Sequence, residues 1–292
     1  MQKISRNNVI YSMSADNKPV LFIDPGTQVV FETWDALHGQ IKTADGGFDG
    51  LDWSCVNPAT GPVYINGASV GDILSVKIDK IHVADSGVVL CGKGMGVMGD
   101  TLQSVAVKVL SIKDDIAIFS DSIKLPLNKM IGVIGVAPKG ETISCGAPDL
   151  HGGNMDCKEI KEGATLLLPV NVPGALLALG DLHAIMADGE IGVTGLEVGG
   201  EVLVTVDLIK NKTLPLPMLV NDNYVMTLAS DEDLDKAVEM AVSNMIGYLS
   251  EEKGFTKEDA VMLTSLTADV RICQVVDPKK TVRVEFPKIY LV

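Results

Sequence analysis

The chain has 292 residues, of which 47% are hydrophobic and 21% are charged, a composition that excludes disordered, collagen-like and low-complexity proteins. The length is that of two domains or of one large β architecture. Acidic residues outnumber Lys and Arg by 38 to 24, giving a net charge of −14, so we expect no nucleic acid partner and no anionic membrane surface as a partner.

Short β-branched runs separated by Gly, Pro, Asn and Asp fill the chain from Val20 to about Val206. This pattern is typical of strands and turns. The clearest predicted strands cover residues 29–31, 73–78, 105–110, 116–119, 165–170 and 202–206. Residues 1–214 are therefore predicted to form a mainly β domain of packed sheets, either a β-sandwich or a barrel-like structure, that carries the site loops.

The pattern changes after Pro217. Apolar residues recur at three- and four-residue spacing over residues 234–249, which predicts a helix with Ser230 as its N-cap and Gly254 at its end. Thr256 is placed to cap a second, shorter helix. Strands near residues 271–275 and 281–286 complete a smaller α+β unit, predicted to span residues 215–292.

Five widely spaced cysteines form no Cys-x-x-Cys pair, and no stretch has the roughly 20 apolar residues of a membrane span. The N-terminal residues also lack the apolar core of a signal peptide. We therefore expect reduced thiols and a cytoplasmic location.

Carboxylates and one histidine concentrate between Gly163 and Ile209, a segment with no Lys or Arg. They are Asp181, His183, Asp188, Glu190, Glu197, Glu201 and Asp207. Such a cluster favours cation binding, and residues two apart on a strand share a face, so Asp181 and His183 can share a metal. A histidine that is simply hydrogen-bonded to its neighbouring aspartate remains the alternative.

The run from His151 to Asp156 reads His-Gly-Gly-Asn-Met-Asp. Two glycines let the backbone bend closely around a ligand, while His151, Asn154 and Asp156 supply nitrogen and oxygen donors. A tight turn that uses its own Asn and Asp is equally compatible with this run. Asp35, shortly after Glu32, is predicted at a strand end facing a cleft, with a turn-capping role as the alternative.

Together these motifs resemble the acetamidase/formamidase family. The matching runs, in the family's order, are 31–36, 39–41, 57–62, 151–156, 180–183 and 188–190, followed by Glu197. Two positions depart from the family pattern, since Ala187 and His38 stand where glycine is frequent. The resemblance implies a β-rich fold with a smaller α+β portion, and a metal-dependent hydrolase that cleaves short aliphatic amides to a carboxylate and ammonia.

We assign metal-binding and catalytic roles to the positions that match the family's motifs from the chemistry of their side chains. The predicted metal ligands are Asp35, His151, Asp156 and His183, and the predicted catalytic residues are Glu190, as proton shuttle, and Glu197, in reserve. Supporting or substrate-binding roles are predicted for Asn154, Asp181, Asp188 and Glu32. We expect a divalent metal, zinc first, with an additional calcium or manganese ion as a further option. A small neutral amide substrate and a homo-oligomer, a dimer or larger, are also expected.

Two alternatives remain open at this point. The first is a metal-independent amidase with Cys145 or Cys157 as nucleophile. The second is a β-sandwich binding protein in which loop carboxylates hold structural calcium without turnover.

Overall fold

The computed structural model describes residues 2–44 and 48–291. The strands, in chain order, are β1 Gln2–Ile4, β2 Val9–Ile10, β3 Ser12–Met13, β4 Leu21–Ile23, β5 Thr27–Thr33, β6 Ala59–Ile65, β7 Ile73–Val83, β8 Ser86–Cys91, β9 Ala106–Lys113, β10 Ile116–Ile118, β11 Lys124–Pro126, β12 Met130–Gly135, β13 Ile143–Ser144, β14 Gly152–Asn154, β15 Thr165–Pro169, β16 Leu177–His183, β17 Glu197–Val198, β18 Gly200–Ile209, β19 Met218–Val220, β20 Tyr224–Asp231, β21 Asp269–Gln274 and β22 Lys280–Pro287.

Two α-helices lie near the C-terminus, α1 at Leu234–Gly247 and α2 at Lys257–Thr267, and a π-helical turn at Tyr248–Glu252 extends α1. Short 3-10 turns occur at Phe48–Gly50, Trp53–Cys55, Gly99–Thr101 and Lys288–Tyr290. Within the described ranges, no helix combines the length and the apolar character needed to cross a bilayer.

The strands form two large sheets and one small pair. A nine-stranded sheet has the order β1-β5-β18-β7-β15-β19-β20-β22-β21, and β3 pairs with β13 separately. In the eleven-stranded sheet, a path β11-β10-β9-β8-β17-β16-β12-β14 is joined by β6, which also pairs with β2 and β4. Strand β16 is central in this second sheet, because it pairs with β12 along one edge and with β6 and β17 along the other.

The two large sheets pack against each other through one apolar core. Val29 and Phe31 of β5 meet Val63 and Ile65 of β6 in the same cluster, and all four side chains are fully buried. Alternation along each strand places these residues on the inner faces. The predicted mainly β fold of packed sheets is thereby confirmed.

A second apolar cluster joins the helices to the end of the nine-stranded sheet. Ala237, Ala241 and Met245 of α1 are fully buried and belong to the same cluster as Val282 and Phe286 of β22. Strands β19 to β22 extend the sheet that β15 belongs to, through the pairing of β15 with β19. The division into domains at residue 214 stays a prediction.

One of the two helix N-caps, that of α1, differs from the prediction. Asp233, rather than Ser230, caps α1, because its carboxylate accepts hydrogen bonds from the backbone N–H groups of Asp235 and Lys236. Ser230 still belongs to β20, where its hydroxyl lies 3.0 Å from the Thr281 hydroxyl. The predicted Ser230 cap was therefore wrong, because β20 continues to Asp231. The predicted Thr256 cap of α2 is confirmed.

Replacing Asp233 with Ala should lower the free energy of unfolding by about 1 kcal/mol, since two N–H groups of the first turn lose their acceptor. Urea unfolding of the two proteins measures this difference. Glu232→Ala is the matched control on the same loop, with an expected change within about 0.5 kcal/mol. Equal losses in both variants would refute the capping role.

Candidate functional site

A buried group of carboxylates surrounds the imidazole of His183 at the end of strand β16. The Cα register pairs His183 with Glu197 of β17, so the two side chains leave adjacent strands at the same level. Asp181 comes from β16 itself, with a positive φ of 53°. Nε2 of His183 lies 3.0 Å from Oε1 of Glu197 and 3.3 Å from Oδ1 of Asp181. The Gly-Asp-Leu-His run thus brings its acid and its imidazole together, an arrangement open to a shared metal or to a simple hydrogen bond.

Asp156 approaches the same imidazole from the loop after β14. Its Oδ1 lies 3.8 Å from Nε2 of His183, and the carboxyl group is 1% exposed. Gly132 of β12 makes this approach possible: a Cβ atom there would lie 2.4 Å from Oδ1 of Asp156 and 2.6 Å from Oδ2 of Asp181. The space that the two carboxylates occupy therefore exists because position 132 has no side chain.

Glu190 completes the group from the loop between β16 and β17. It has a positive φ of 46° and is 7% exposed. Two sets of three potential ligands result, Asp156 with His183 and Glu190, and Asp181 with His183 and Glu197, and within each set the ligand atoms lie within 4.8 Å of one another. His183 is common to both sets.

The turn that carries Glu190 is held by a buried arginine. Nη1 and Nη2 of Arg283 donate to the two carboxylate oxygens of Asp188 at 2.6 and 2.9 Å, and Arg283 is only 1% exposed. Lys158 also pairs with Asp188, at 3.0 Å. Gly189 donates its N–H to the carbonyl of Cys273 at 2.9 Å. Asp188 therefore anchors the turn, while Glu190 faces the histidine.

Asp277 is a member of the site that the sequence did not reveal. Nδ2 of Asn154 donates to Oδ2 of Asp277 at 2.9 Å. Burial, together with the nearby carboxylates of Asp156 and Asp181, raises the pKa of Asp277 well above its usual value. In the sequence, Asp277 precedes Pro278 and two lysines, as a turn aspartate between strands would, so no local signal marked it.

The electrostatics of the group are dominated by burial and by like charges. Burial raises the pKa values of Glu190 and Glu197 to about 8. Burial, with the charge of Glu190 next, also raises the pKa of Asp156 well above its usual value. Burial alone would lower the pKa of His183, but the carboxylates of Glu197 and Asp181 outweigh it and raise that pKa. The group thus has a surplus of acidic side chains that burial makes costly to ionise.

The donor set fits a divalent cation. Among the described residues, several buried oxygens have no hydrogen-bond partner, namely both carboxylate oxygens of Asp156, Oδ1 of Asp181, Oε2 of Glu190 and Oε2 of Glu197. Unpaired buried carboxylate oxygens are unfavourable unless a cation or a proton satisfies them. One imidazole nitrogen with several carboxylate oxygens is a ligand set for zinc or manganese.

Other predicted site residues do not belong to these two sets, although Asp35 lines the same pocket as Glu197. His151 is buried, and burial lowers its pKa to about 4, which keeps the imidazole neutral at neutral pH. Asp35 caps a turn, accepting from the N–H groups of Leu37 and Gly39 at 2.9 and 3.0 Å. Glu32 pairs with Lys3, as does Glu201. The roles assigned to His151, Asp35 and Glu32 stay predictions.

Gly132→Ala should lower the affinity for a divalent metal at least tenfold, because the new methyl group displaces the carboxylates of Asp156 and Asp181. Metal titration of the two apoproteins measures the change. Gly247→Ala is the matched control, since a Cβ there meets no described atom within 4 Å. Unchanged affinity in Gly132→Ala would place the metal elsewhere.

Comparison with known proteins identifies the family and the fold. The model of the acetamidase/formamidase family matches residues 13–146 and 140–289. Similar solved structures include a predicted acetamidase/formamidase from Thermoanaerobacter tengcongensis, with 46% identity, a TM-score of 0.98, and coverage of 99% of this chain and 96% of that one. Another is the acetamidase from Bacillus halodurans, with 43% identity, a TM-score of 0.97, and coverage of 99% and 98%.

A curated relative, the acetamidase of Mycolicibacterium smegmatis, is 26% identical in an alignment that covers 64% of this chain and 63% of that protein. The alignments with the first curated relatives thus span about 63% of their length. The family match covers nearly the whole of this chain, and its solved relatives share the fold from end to end. The chain belongs to the acetamidase/formamidase family.

Proposed function

We propose that this protein hydrolyses the C–N bond of short aliphatic amides, such as formamide and acetamide, to a carboxylate and ammonia. One observation carries the proposal: a buried carboxylate group with unpartnered oxygens surrounds His183, in a chain of the acetamidase/formamidase family. Such a group is costly to a fold unless it binds a cation. The names of its relatives, acetamidase and formamidase, support the substrate class.

The residues that would hold the cation are His183 and Asp156, with Asp181 as a further oxygen donor within reach, and we assign Glu190 and Glu197, which belong to the same two sets, to proton transfer. When bound, a divalent ion supplies Lewis acidity toward the amide carbonyl and toward a water molecule. Zinc is our first choice because an imidazole is present, and calcium or manganese are the alternatives for the oxygen-rich side. Asp35 and His151 are kept as additional proposed ligands.

The chain's own groups manage the protons of this hydrolysis. Glu190 is our proposed shuttle: it takes a proton from the attacking water and delivers it to the amide nitrogen as the C–N bond breaks. Glu197 lies 3.0 Å from Nε2 of His183, beside the nitrogen that would ligate the cation, and it is the second candidate for the shuttle. Asn154 and Asp277, joined by a hydrogen bond, hold the Asp156 loop against the group.

Charge and cysteine use support the remaining parts of the proposal. The absence of Lys and Arg from residues 163–209 favours a neutral amide over one that carries a carboxylate. All five cysteines are free thiols, which supports a reducing compartment such as the cytoplasm. A homo-oligomer, a dimer or larger, is the proposed assembly.

Removal of the metal is the direct test of the proposed function. Dialysis against a chelator should abolish ammonia release from formamide and acetamide, and zinc should restore it, because an unactivated amide resists water. Ammonia release and metal content are measured on the same samples. Full activity after complete metal loss would contradict metal dependence, and metal binding without ammonia release would favour the binding-protein alternative.

Glu190→Gln should bind metal as the wild type does yet lose about 10²- to 10⁴-fold in kcat, the usual effect of losing a positioned general base. Steady-state kinetics and metal analysis separate the two roles. A variant that loses its metal would identify Glu190 as an essential ligand and pass the shuttle role to Glu197. A fully active variant would leave Glu190 only a turn residue.

Alkylation separates the metal enzyme from a thiol enzyme. Cys145 and Cys157 are fully buried, and burial raises the pKa of Cys145 to about 12, so that thiol is a poor nucleophile. Iodoacetate, which is not an amide and cannot release ammonia, should modify the half-buried Cys55 and Cys91 while amide hydrolysis persists. Mass spectrometry locates the labels, and loss of activity in step with labelling of Cys145 or Cys157 would favour the thiol mechanism.

A further inference from the structure

A cleft of about 250 Å³ opens on the face of the eleven-stranded sheet that carries the side chains of Glu197 and His183. Val109 of β9 pairs with Val88 of β8, and Val88 pairs with Glu197 of β17. Glu197 in turn pairs with His183 of β16. Directly opposed residues of antiparallel strands point to the same face, and Val109, Val88 and Glu197 all line the cleft. Its floor therefore leads to the Nε2 side of His183, where Glu197 lies 3.0 Å away.

The segment that follows strand β5 covers this floor. Trp34 comes directly after β5 and lines the cleft, as does Ile41, a member of the apolar cluster that contains Val88. Gly199, just after β17, lets the ends of β5 and β17 approach closely, because a Cβ atom there would lie 3.1 Å from the carbonyl oxygen of Thr33. The cleft thus lies between the sheet and the segment from Trp34 to Ile41.

The indole ring of Trp34 is held by three neighbours. Cζ of Arg6 lies 4.0 Å from the ring centroid, a cation–π contact. The ring of His38 packs edge-on at 5.2 Å between centroids, and Nδ1 of His38 is itself 3.0 Å from the hydroxyl of Tyr11. A Cβ at Gly39 would lie 3.1 Å from Cζ3 of Trp34, so the backbone of Gly39 packs directly on the ring. Arg6, Trp34 and Gly39 all line the cleft, and this packed group is therefore one of its walls.

The charged groups of the cleft balance one another. Its two acids are Asp35 and Glu197, and its two cations, among the described lining residues, are Arg6 and Lys42. The guanidinium group of Arg6 stacks on Trp34, and Lys42 is exposed to solvent. A neutral amide can therefore enter without leaving a charge unpaired, and its acyl group can bury apolar surface against the valines of the floor.

We propose that the amide binds in this cleft, and that Trp34 is the residue that limits its acyl group to a few carbons. The inference rests on the proposed function. The amide end lies toward Glu197 and His183, and the acyl group lies against the ring of Trp34. A cavity of about 150 Å³ can hold a benzene molecule, so a small amide fits in the cleft. A ring that is packed on three sides does not move aside for a longer chain, and the longer amides are therefore poor substrates.

The test compares kcat/KM of the metal-loaded full chain for acetamide and butyramide. Trp34→Ala should raise the butyramide-to-acetamide ratio about fifteenfold, the equivalent of two more buried CH₂ groups at ~0.8 kcal/mol each. Trp53→Ala is the matched control, because Trp53 is 57% exposed and is not among the described lining residues, and it should keep the wild-type ratio. A ratio that does not rise in Trp34→Ala, or that rises equally in both variants, would overturn the size limit.

A milder variant carries the test if Trp34→Ala does not fold. Trp34→Phe keeps an aromatic ring for Arg6 to stack on, and it should raise the propionamide-to-acetamide ratio about fourfold, the equivalent of ~0.8 kcal/mol for one buried CH₂. An unchanged ratio would overturn the proposal. A wild-type enzyme that hydrolyses the monoamide of a dicarboxylic acid faster than acetamide would make Arg6 a ligand for the substrate, and would refute the size limit as well.

Failure of the proposed function has a different signature. The chain has two tryptophans, Trp34 and Trp53, so Trp53→Phe leaves Trp34 as the one tryptophan that reports on the cleft. Acetamide added to this metal-loaded variant should change its fluorescence in a saturable way, with weaker binding of butyramide, whereas Trp34→Phe should show no change. If no amide releases ammonia, hydrolysis is refuted, and this pattern still supports the cleft and its size limit. No saturable change, the same change in both variants, or butyramide binding as tight as that of acetamide would refute them.

Discussion

The structure depends on the confinement of several carboxyl groups around one imidazole. Asp156, Asp181, Glu190 and Glu197 are each at most 7% exposed, and His183 is 1% exposed. Like charges in such a low-dielectric space repel strongly, and each unpaired oxygen carries its own desolvation cost. Without a cation, the raised pKa values of Asp156, Glu190 and Glu197 mean that bound protons must offset part of this charge. A divalent cation, in contrast, would draw them together and turn a destabilising cluster into a binding site.

The sheet architecture accounts for how these groups meet. Strand β16 has partners along both edges, so its end is held rigidly, and Asp181 and His183 leave it beside Glu197 of β17. Loops supply the other two acids, and each loop is fixed by a contact distant in sequence. Asp277 bonds Asn154 in the strand before Asp156, and Arg283 holds the turn that carries Glu190. Rigid strands with braced loops are the arrangement that positions catalytic groups accurately.

Much of the fold was predictable from local patterns. Alternation and β-branched runs located the long strands, such as Val202 to Val206 within β18, and the three-to-four spacing located α1. The cap of α1 was misplaced because pairing with β22 extends β20 to Asp231. That pairing joins residues about 50 positions apart, and a local pattern does not carry this information.

The same reason limits what the sequence revealed of the site. The segment without Lys or Arg and the Gly-Asp-Leu-His run indicated four residues of the site that lie close together in the chain, namely Asp181, His183, Glu190 and Glu197. Asp277 is 123 residues from Asn154, and Arg283 is 95 residues from Asp188. Such pairs arise only when the C-terminal strands join the sheet. The two acids of the turn Asp188-Gly189-Glu190 therefore differ in a way that the sequence does not show: Asp188 is ion-paired with Arg283, whereas Glu190 faces His183.

The central claim is that the carboxylates around His183 hold a divalent cation. Anomalous diffraction from crystals grown with zinc, recorded on both sides of the zinc absorption edge, tests it most directly. The account predicts a peak about 2.0 to 2.2 Å from Nε2 of His183 and from carboxylate oxygens of the same group. A fully occupied peak elsewhere, with the His183 group free of metal, would contradict it.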